Sequence, residues 1–185
     1  MVERPSMRKL ISYIACSVDG YIAGPSGAID WLFTDQDYGY TEFISTVDTV
    51  VMGRKTYDLS LTFDPYPYQD LRGFVFSRLP RNPDDHVTFV STDFAEFMTE
   101  LKEGHGRNIW LVGGGQLLGE AVTNDLLDEL ILSIHPIILG DGVPLFPQGL
   151  PTRRLHYLRS EPFNTGLVQI WYGRPVPGSD GPEAA

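Results

Sequence analysis

Eight short apolar runs, at residues 10–17, 49–52, 73–77, 87–90, 109–112, 129–135, 155–160 and 167–172, alternate with stretches whose apolar residues recur at helical spacing. Runs of that kind must be buried, and strands linked through helices pair in parallel by crossovers that lay the helices on the sheet. The alternation predicts an α/β protein with a mostly parallel central sheet flanked by helices up to about residue 136. The last two runs, joined through "EPFNTG", predict a C-terminal antiparallel hairpin. The clearest helix falls at 93–103. There Asp93 and Glu96 form a capping-box pattern, Phe94, Phe97, Met98 and Leu101 share one face, and Gly104 ends the run.

A chain of 185 residues with 42% hydrophobic content supports one substantial core. Residues 1–174 read as a single domain and the proline- and glycine-rich end, 175–185, as a disordered tail. The formal net charge of −10 argues against a nucleic-acid or anionic-membrane partner. No stretch reaches the roughly 18 consecutive apolar residues of a membrane span. The single cysteine, Cys16, excludes an internal disulfide and a cysteine-built zinc site, which points to a reducing, cytoplasmic setting. The apolar stretch before it, in "LISYIACS", is too short for a lipoprotein signal and reads as the first strand.

Three strand ends carry chemistry. "NIWLVGGGQLLGEAV" sets Gly113, Gly114 and Gly115 between a strand and a helix, where free N–H groups, the positive dipole end and missing side chains let a phosphate reach the main chain. A tight turn with close packing accounts for the same glycines. "DTVVMGRKTYD" ends a strand at Gly53 and continues with Arg54, Lys55 and Thr56, and "GFVFSR" ends in Ser77 and Arg78. Hydroxyls and cations at the carboxyl ends of strands suit a phosphorylated ligand, and arginine can pair bidentately with a phosphate monoester. Solvated basic turns are the alternative. A Rossmann fingerprint would follow the first strand and be answered by an acid at the end of the second. Here the glycines come after about five strands, and Asp128 and Glu129 precede the next one, so that arrangement is absent from the sequence.

Taken in order, "YIACSVDGYIAG", "GAIDWL", "VVMGRKTY", "FVFSR", "IWLVGGGQLL" and "LDELILSIHPIILGDGVPLF" resemble the dihydrofolate reductase fold family, including the reductase domain of riboflavin biosynthesis, over residues 9–174. The resemblance implies an NADPH-dependent reductase that transfers hydride to a small heterocycle, pterin-like or ribosylaminopyrimidine-like as in 5-amino-6-(5-phosphoribosylamino)uracil reductases. It implies that Gly53, Arg54, Lys55, Thr56, Ser77 and Arg78 hold the NADPH phosphates, including the 2′-phosphate. Gly113, Gly114, Gly115, Gln116 and Leu117 would line the pyrophosphate and ribose, and Ala15 and Ile22 would touch the nicotinamide. It also implies a lid at 19–31, a cis peptide between Gly113 and Gly114, and Trp31 at the border of the substrate pocket. Related reductases further suggest a homodimer, with the hairpin "GLVQIWYG" as a candidate interface. Hydride transfer needs no metal, and His86, His105, His135 and His156 show no paired ligand spacing, so none is assigned a role.

Two positions depart from these relatives. Dihydrofolate reductases place a carboxylate five residues after the lid tryptophan, whereas here Gln36 stands there between Asp35 and Asp37. Riboflavin-type reductases carry a glutamate just before the glycines, where this chain has Val112, and the deaminase partner with its zinc-binding motif is absent from the sequence. Asp19 is the first candidate for a substrate-facing acid that orients an amine or relays a proton, with an Asp-Gly turn as the alternative. Two other readings stay open: an NADP-binding protein of the same fold without robust catalysis, and an interaction domain without cofactor affinity.

Overall fold

The structure, a computed structural model, describes residues 7–79 and 82–175. The expected tail lies, from residue 176 on, outside the described residues. The elements run β1 (Leu10–Ser17), β2 (Tyr21–Ala23), α1 (Tyr40–Ser45), β3 (Val47–Gly53), α2 (Arg54–Ser60), β4 (Arg72–Phe76), β5 (Val87–Val90) and α3 (Phe94–Glu103). They continue β6 (Asn108–Gly113), α4 (Gly115–Thr123), β7 (Glu129–His135), β8 (Val143–Pro144), β9 (His156–Pro162) and β10 (Val168–Gly173).

Eight strands form one sheet in the order β5-β4-β3-β6-β1-β7-β10-β9. Every pair from β5 to β7 is parallel, while β10 runs antiparallel to both β7 and β9. This is the α/β architecture that the alternation predicts. β1, β5 and β7 fall on the expected residues, and the other five strands of the sheet differ by one or two residues at each end. The helix expected at 93–103 is α3, with the Asp93 side chain accepting from the Glu96 N–H at 3.0 Å.

β3 shows why the parallel strands read as continuous apolar runs. Val50 and Met52 face one side with Tyr57, Val75 and Trp110, whereas Val51 faces the other with Phe74, Met98, Leu111 and Leu118. Both faces are covered, so alternation is lost. Three short elements had no periodic signal. β2 and β8, of three and two residues, pair with each other in a separate ladder. α1 has six residues and begins where Asp37 accepts from the Thr41 N–H and hydroxyl.

The amino ends of the strands are closed by charge. The buried Arg8 guanidinium pairs with Asp48 and donates to Thr49 Oγ1 at 2.7 Å and the Arg107 carbonyl at 2.6 Å. Lys102, also buried, pairs with Asp128 and donates to the Leu126 carbonyl at 2.8 Å. Burial lowers both pKa values, so each cation depends on its partners. The carboxyl ends of β3 and β6 carry glycines instead, Gly53 and Gly113.

One expectation about those glycines is corrected. The peptide between Gly113 and Gly114 is trans; among the described residues the one cis peptide is Asp64–Pro65. Gly114 makes the turn through a φ of +101°, a conformation that glycine reaches without steric cost, so the junction needs no rare isomer.

Candidate active site

The three equipped strand ends are neighbours. β4, β3 and β6 lie side by side, Gly53 pairs with Phe76 just before Ser77, and Met52 pairs with Gly113. Two strand spacings amount to about 10 Å, so hydroxyls, cations and bare backbone line one short edge of the sheet. The next strands along that edge are β1, carrying Ala15, and β7, carrying Ser133 and His135.

The glycines differ in what they do. A Cβ on Gly113 would meet nothing nearer than Thr56 Oγ1 at 3.7 Å, and one on Gly114 would lie 3.9 Å from both Thr56 Oγ1 and the Gly53 nitrogen. Gly53, Thr56, Gly113 and Gly114 thus meet in a small cradle at ordinary van der Waals distances, with Ile14 and Leu117 at its sides. Gly115 belongs to packing: its Cβ would sit 2.7 Å from the Pro144 carbonyl oxygen. Of the two readings of the sequence, close packing is the one that holds for Gly115.

The polar groups around the cradle are arranged unevenly. Arg54 pairs with Asp58 one helical turn on, at 3.7 Å, and Lys55, Arg78 and Gln116 are exposed. Ser77 is buried, and its hydroxyl donates to the Leu79 carbonyl at 2.8 Å. Ile22, on β2, packs with the apolar cluster on the α3–α4 side of the sheet.

Beside the cradle a cavity of about 460 Å³ opens between β1, β7 and the loop before α1. Its wall includes Ala15, Phe33, Gln36, Asp37, Tyr40 and Trp110. Its floor is a polar network around Gln169, which is 1% exposed. The Gln169 amide donates to Tyr13 Oη at 2.7 Å, the Tyr38 carbonyl at 2.8 Å and Ser133 Oγ at 3.0 Å, and Tyr13 Oη donates to the same carbonyl at 2.9 Å. Burial raises the Tyr13 pKa, so the phenol stays protonated.

His135, left without a role at the sequence level, lines this cavity. Its Nδ1 faces the Ser133 carbonyl at 3.1 Å, which puts the proton there and leaves Nε2 to accept the Phe33 N–H at 3.2 Å. Burial lowers its pKa and keeps the ring neutral. Trp31 packs edge-on against His135, with ring centroids 5.2 Å apart, behind the residues that line the cavity. No isolated histidine in the sequence could have signalled this; only the pairing of β1 with β7 brings it beside the loop.

The three acids stand apart. Asp37 lines the cavity and is held ionised, its pKa lowered first by the Thr41 hydroxyl. Asp35 accepts from Tyr38 Oη at 2.7 Å. Asp19, first candidate on sequence, is an exposed loop anchor: its carboxylate accepts from the Leu139 N–H at 3.1 Å and the Gly140 N–H at 2.7 Å. It is not among the residues lining the cavity. The Asp-Gly turn aims its oxygens at the "ILGDG" loop, so of the two readings the turn is the one the geometry follows. Among the described residues, no group of three or more His, Cys, Asp or Glu is placed to hold a metal ion. Likewise, no helix there is long and apolar enough to cross a membrane.

A parallel sheet of this strand order, with a glycine cradle and an aromatic cavity side by side at its carboxyl edge, has the dihydrofolate reductase fold. The dihydrofolate reductase of Enterococcus faecalis, solved in complex with NADP(H) and RAB-propyl, superposes with a TM-score of 0.68 at 18% identity, over 90% of this chain and 96% of that one. Within that fold the chain belongs to the RibD C-terminal domain family, whose model matches residues 8–169. It is 40% identical over 172 residues to the uncharacterized protein YwjB of Bacillus subtilis (strain 168), covering 90% of this chain and 98% of that protein. A candidate riboflavin biosynthesis protein of Shewanella sp. PV-4 matches with a TM-score of 0.81 and 32% identity, over 91% and 99% of the two chains.

Proposed function

We propose that this protein is an NADPH-dependent reductase of a small planar heterocycle. The observation that carries the reading is the line of strand ends: Ser77 and Arg78 after β4, Gly53 to Thr56 at β3, the glycines at β6, then Ala15 and the aromatic cavity. An extended dinucleotide needs such a sequence of sites, with phosphate groups at one end and a flat ring at the other. The bare backbone at Gly113 and Gly114, beside the Thr56 hydroxyl, suits the close approach of a pyrophosphate. The Enterococcus faecalis dihydrofolate reductase that shares this fold was solved with NADP(H), and this supports the same assignment here.

In this reading Arg54, Lys55 and Arg78 neutralise phosphate charge, and Thr56 and Ser77 supply hydroxyls. Gln116 and Leu117 border the ribose, and Ala15 and Ile22 border the nicotinamide, which would supply the hydride. Tyr40 and Trp110 give the heterocycle apolar surface, and Asp37 accepts a hydrogen bond from its amine or ring N–H. The His135 bond to Phe33 holds the loop beside the cavity in place, and the Asp19 bonds to Leu139 and Gly140 hold a second loop, outside the cavity lining. Titration with NADPH and NADH, followed by NADPH oxidation across a panel of pterins and aminopyrimidines, tests this. Absence of NADPH affinity overturns the reading. Tight NADPH binding without turnover on any ring favours a cofactor-binding protein of the same fold.

A further inference from the structure

The cavity has a charge pattern that separates two classes of heterocycle. Among the described residues that line it, Asp37 carries the one formal charge at neutral pH, and no lysine or arginine faces it. The loop that supplies Phe33, Gln36, Asp37 and Tyr40 to the lining repeats the sign: residues 30–42 hold Asp30, Asp35, Asp37 and Glu42 and no lysine or arginine. The ring of Tyr40 lies 6.0 Å from that of Trp110. Arg54 and Lys55 open α2 at the cradle, and Arg54 pairs there with Asp58.

Asp37 is fixed in place. Its Oδ1 accepts the Thr41 N–H at 3.1 Å and the Thr41 hydroxyl at 2.7 Å, while Oδ2 shares the N–H at 3.2 Å and keeps lone pairs for a further donor. On the same face of the sheet, Arg159 stands at the end of the row Tyr13, Ile131, Trp171, Arg159. Three strand spacings put it about 14 Å from Tyr13. Its guanidinium is already stacked 3.5 Å over Trp171 and 3.5 Å from the Glu161 carboxylate.

A cavity framed in this way favours a ring that donates hydrogen bonds from exocyclic amines or ring nitrogens, and it repels a dianion. We propose that the cavity selects an unphosphorylated, amine-bearing planar heterocycle, neutral or cationic, and rejects the phosphate ester of the same ring. The inference rests on the reductase reading for the chemistry that follows binding, though not for the binding preference itself.

The test is equilibrium binding of 5-amino-6-(5-phosphoribosylamino)uracil and of the same compound after phosphatase treatment, read by tryptophan fluorescence with and without saturating NADPH. The dephosphorylated form is expected to bind at least about tenfold more tightly. The gap should narrow at about 1 M salt, where the screening length falls to about 3 Å, and in Asp37→Asn, which retains an oxygen for Thr41. Equal or tighter binding of the ester, binding of neither compound, or a gap that both salt and Asp37→Asn leave unchanged overturns the proposal. Because binding is read apart from turnover, a protein that shows the preference but has no NADPH affinity sinks only the reductase reading. One that oxidises NADPH best with the ester sinks only this proposal.

Discussion

Phe33 donates its backbone N–H to Nε2 of His135 across 3.2 Å, tying the loop before α1 to the carboxyl end of β7. The acceptor works only while the ring is neutral, and the ring is neutral because it is buried; the Ser133 carbonyl, which by itself favours the charged ring, fixes the remaining proton on Nδ1. Order in the loop that carries Gln36 and Asp37 is therefore coupled to one proton.

That coupling has a definite sign. Burial places the folded-state pKa of His135 below its ordinary 6.5. The contribution to stability is complete above about pH 6.5 and is lost as pH falls through that value towards the lowered one. Amide exchange at Phe33 should accelerate on acidification. His135→Gln, which offers a carbonyl acceptor that does not titrate, should flatten the profile; an unchanged profile in that variant would exclude His135 as the group responsible.

Asp19 acts further down the acid side of the pH scale. The Ser17 hydroxyl, then the backbone N–H groups of Gly140 and Leu139, lower its pKa to about 2. Its stabilising effect is present above the usual carboxylate value near 3.8 and disappears as pH falls through about 2. Asp19→Ala should raise exchange at Leu139 and Gly140 at neutral pH, while Asp19→Asn, with one acceptor left, should do so less. Binding of a heterocycle in the cavity should change little in either.

The glycine triplet separates folding from binding. Gly115→Ala drives a Cβ to 2.7 Å from the Pro144 oxygen and 3.2 Å from the Leu145 oxygen, backbone atoms that cannot rotate away. A loss of about 1–3 kcal/mol is expected from such overpacking, visible as a lower midpoint in urea. In Gly113→Ala the nearest contact is an ordinary 3.7 Å, so the midpoint should hold while NADPH affinity falls, because the methyl occupies the cradle. Unchanged NADPH affinity would remove the cradle from the cofactor site.

Cofactor preference tests the cations. If Arg54 and Arg78 engage the 2′-phosphate, NADPH should bind more tightly than NADH, and Arg54→Ala with Arg78→Ala should erase most of the difference. A charged hydrogen bond accounts for about tenfold or more. Calorimetric titration of both cofactors measures it directly, and equal affinities in the unmodified protein would dismiss the assignment.

Gln169→Leu removes the donor that Tyr13 Oη, Ser133 Oγ and the Tyr38 carbonyl share. Buried acceptors left without a partner cost about 1–3 kcal/mol each. For a chain of this size each kcal/mol lowers the thermal midpoint by about 2–4 °C, so a drop of several degrees is expected in a melting curve.

The sequence by itself determined what depends on neighbours in the chain. The buried strands at 10–17 and 129–135, the Asp93 cap of α3, the strand-to-helix junctions at Gly53 and Gly113 and the antiparallel end of the sheet all follow from spacing over a few residues. Hydrophobic period and cap chemistry are local, and these elements obey them. Even there, the resemblance to a family misassigned the Gly113–Gly114 peptide, because a glycine at positive φ makes the same turn with a trans bond.

Only the tertiary structure decided which side chains meet. Gln169 reaches Tyr13 across 156 positions of sequence, and His135 reaches Phe33 across 102. Those separations are set by the order of β1, β7 and β10 in the sheet, and one residue of register would turn each side chain to the opposite face. The same holds for the choice among the acids. Asp19, Asp35 and Asp37 are equivalent as composition, yet backbone amides of a distant loop claim the first, Tyr38 the second, and a cavity closed by three strands exposes the third. A carboxylate's role is set by the donors around it, and folding, not the local chain, delivers those donors.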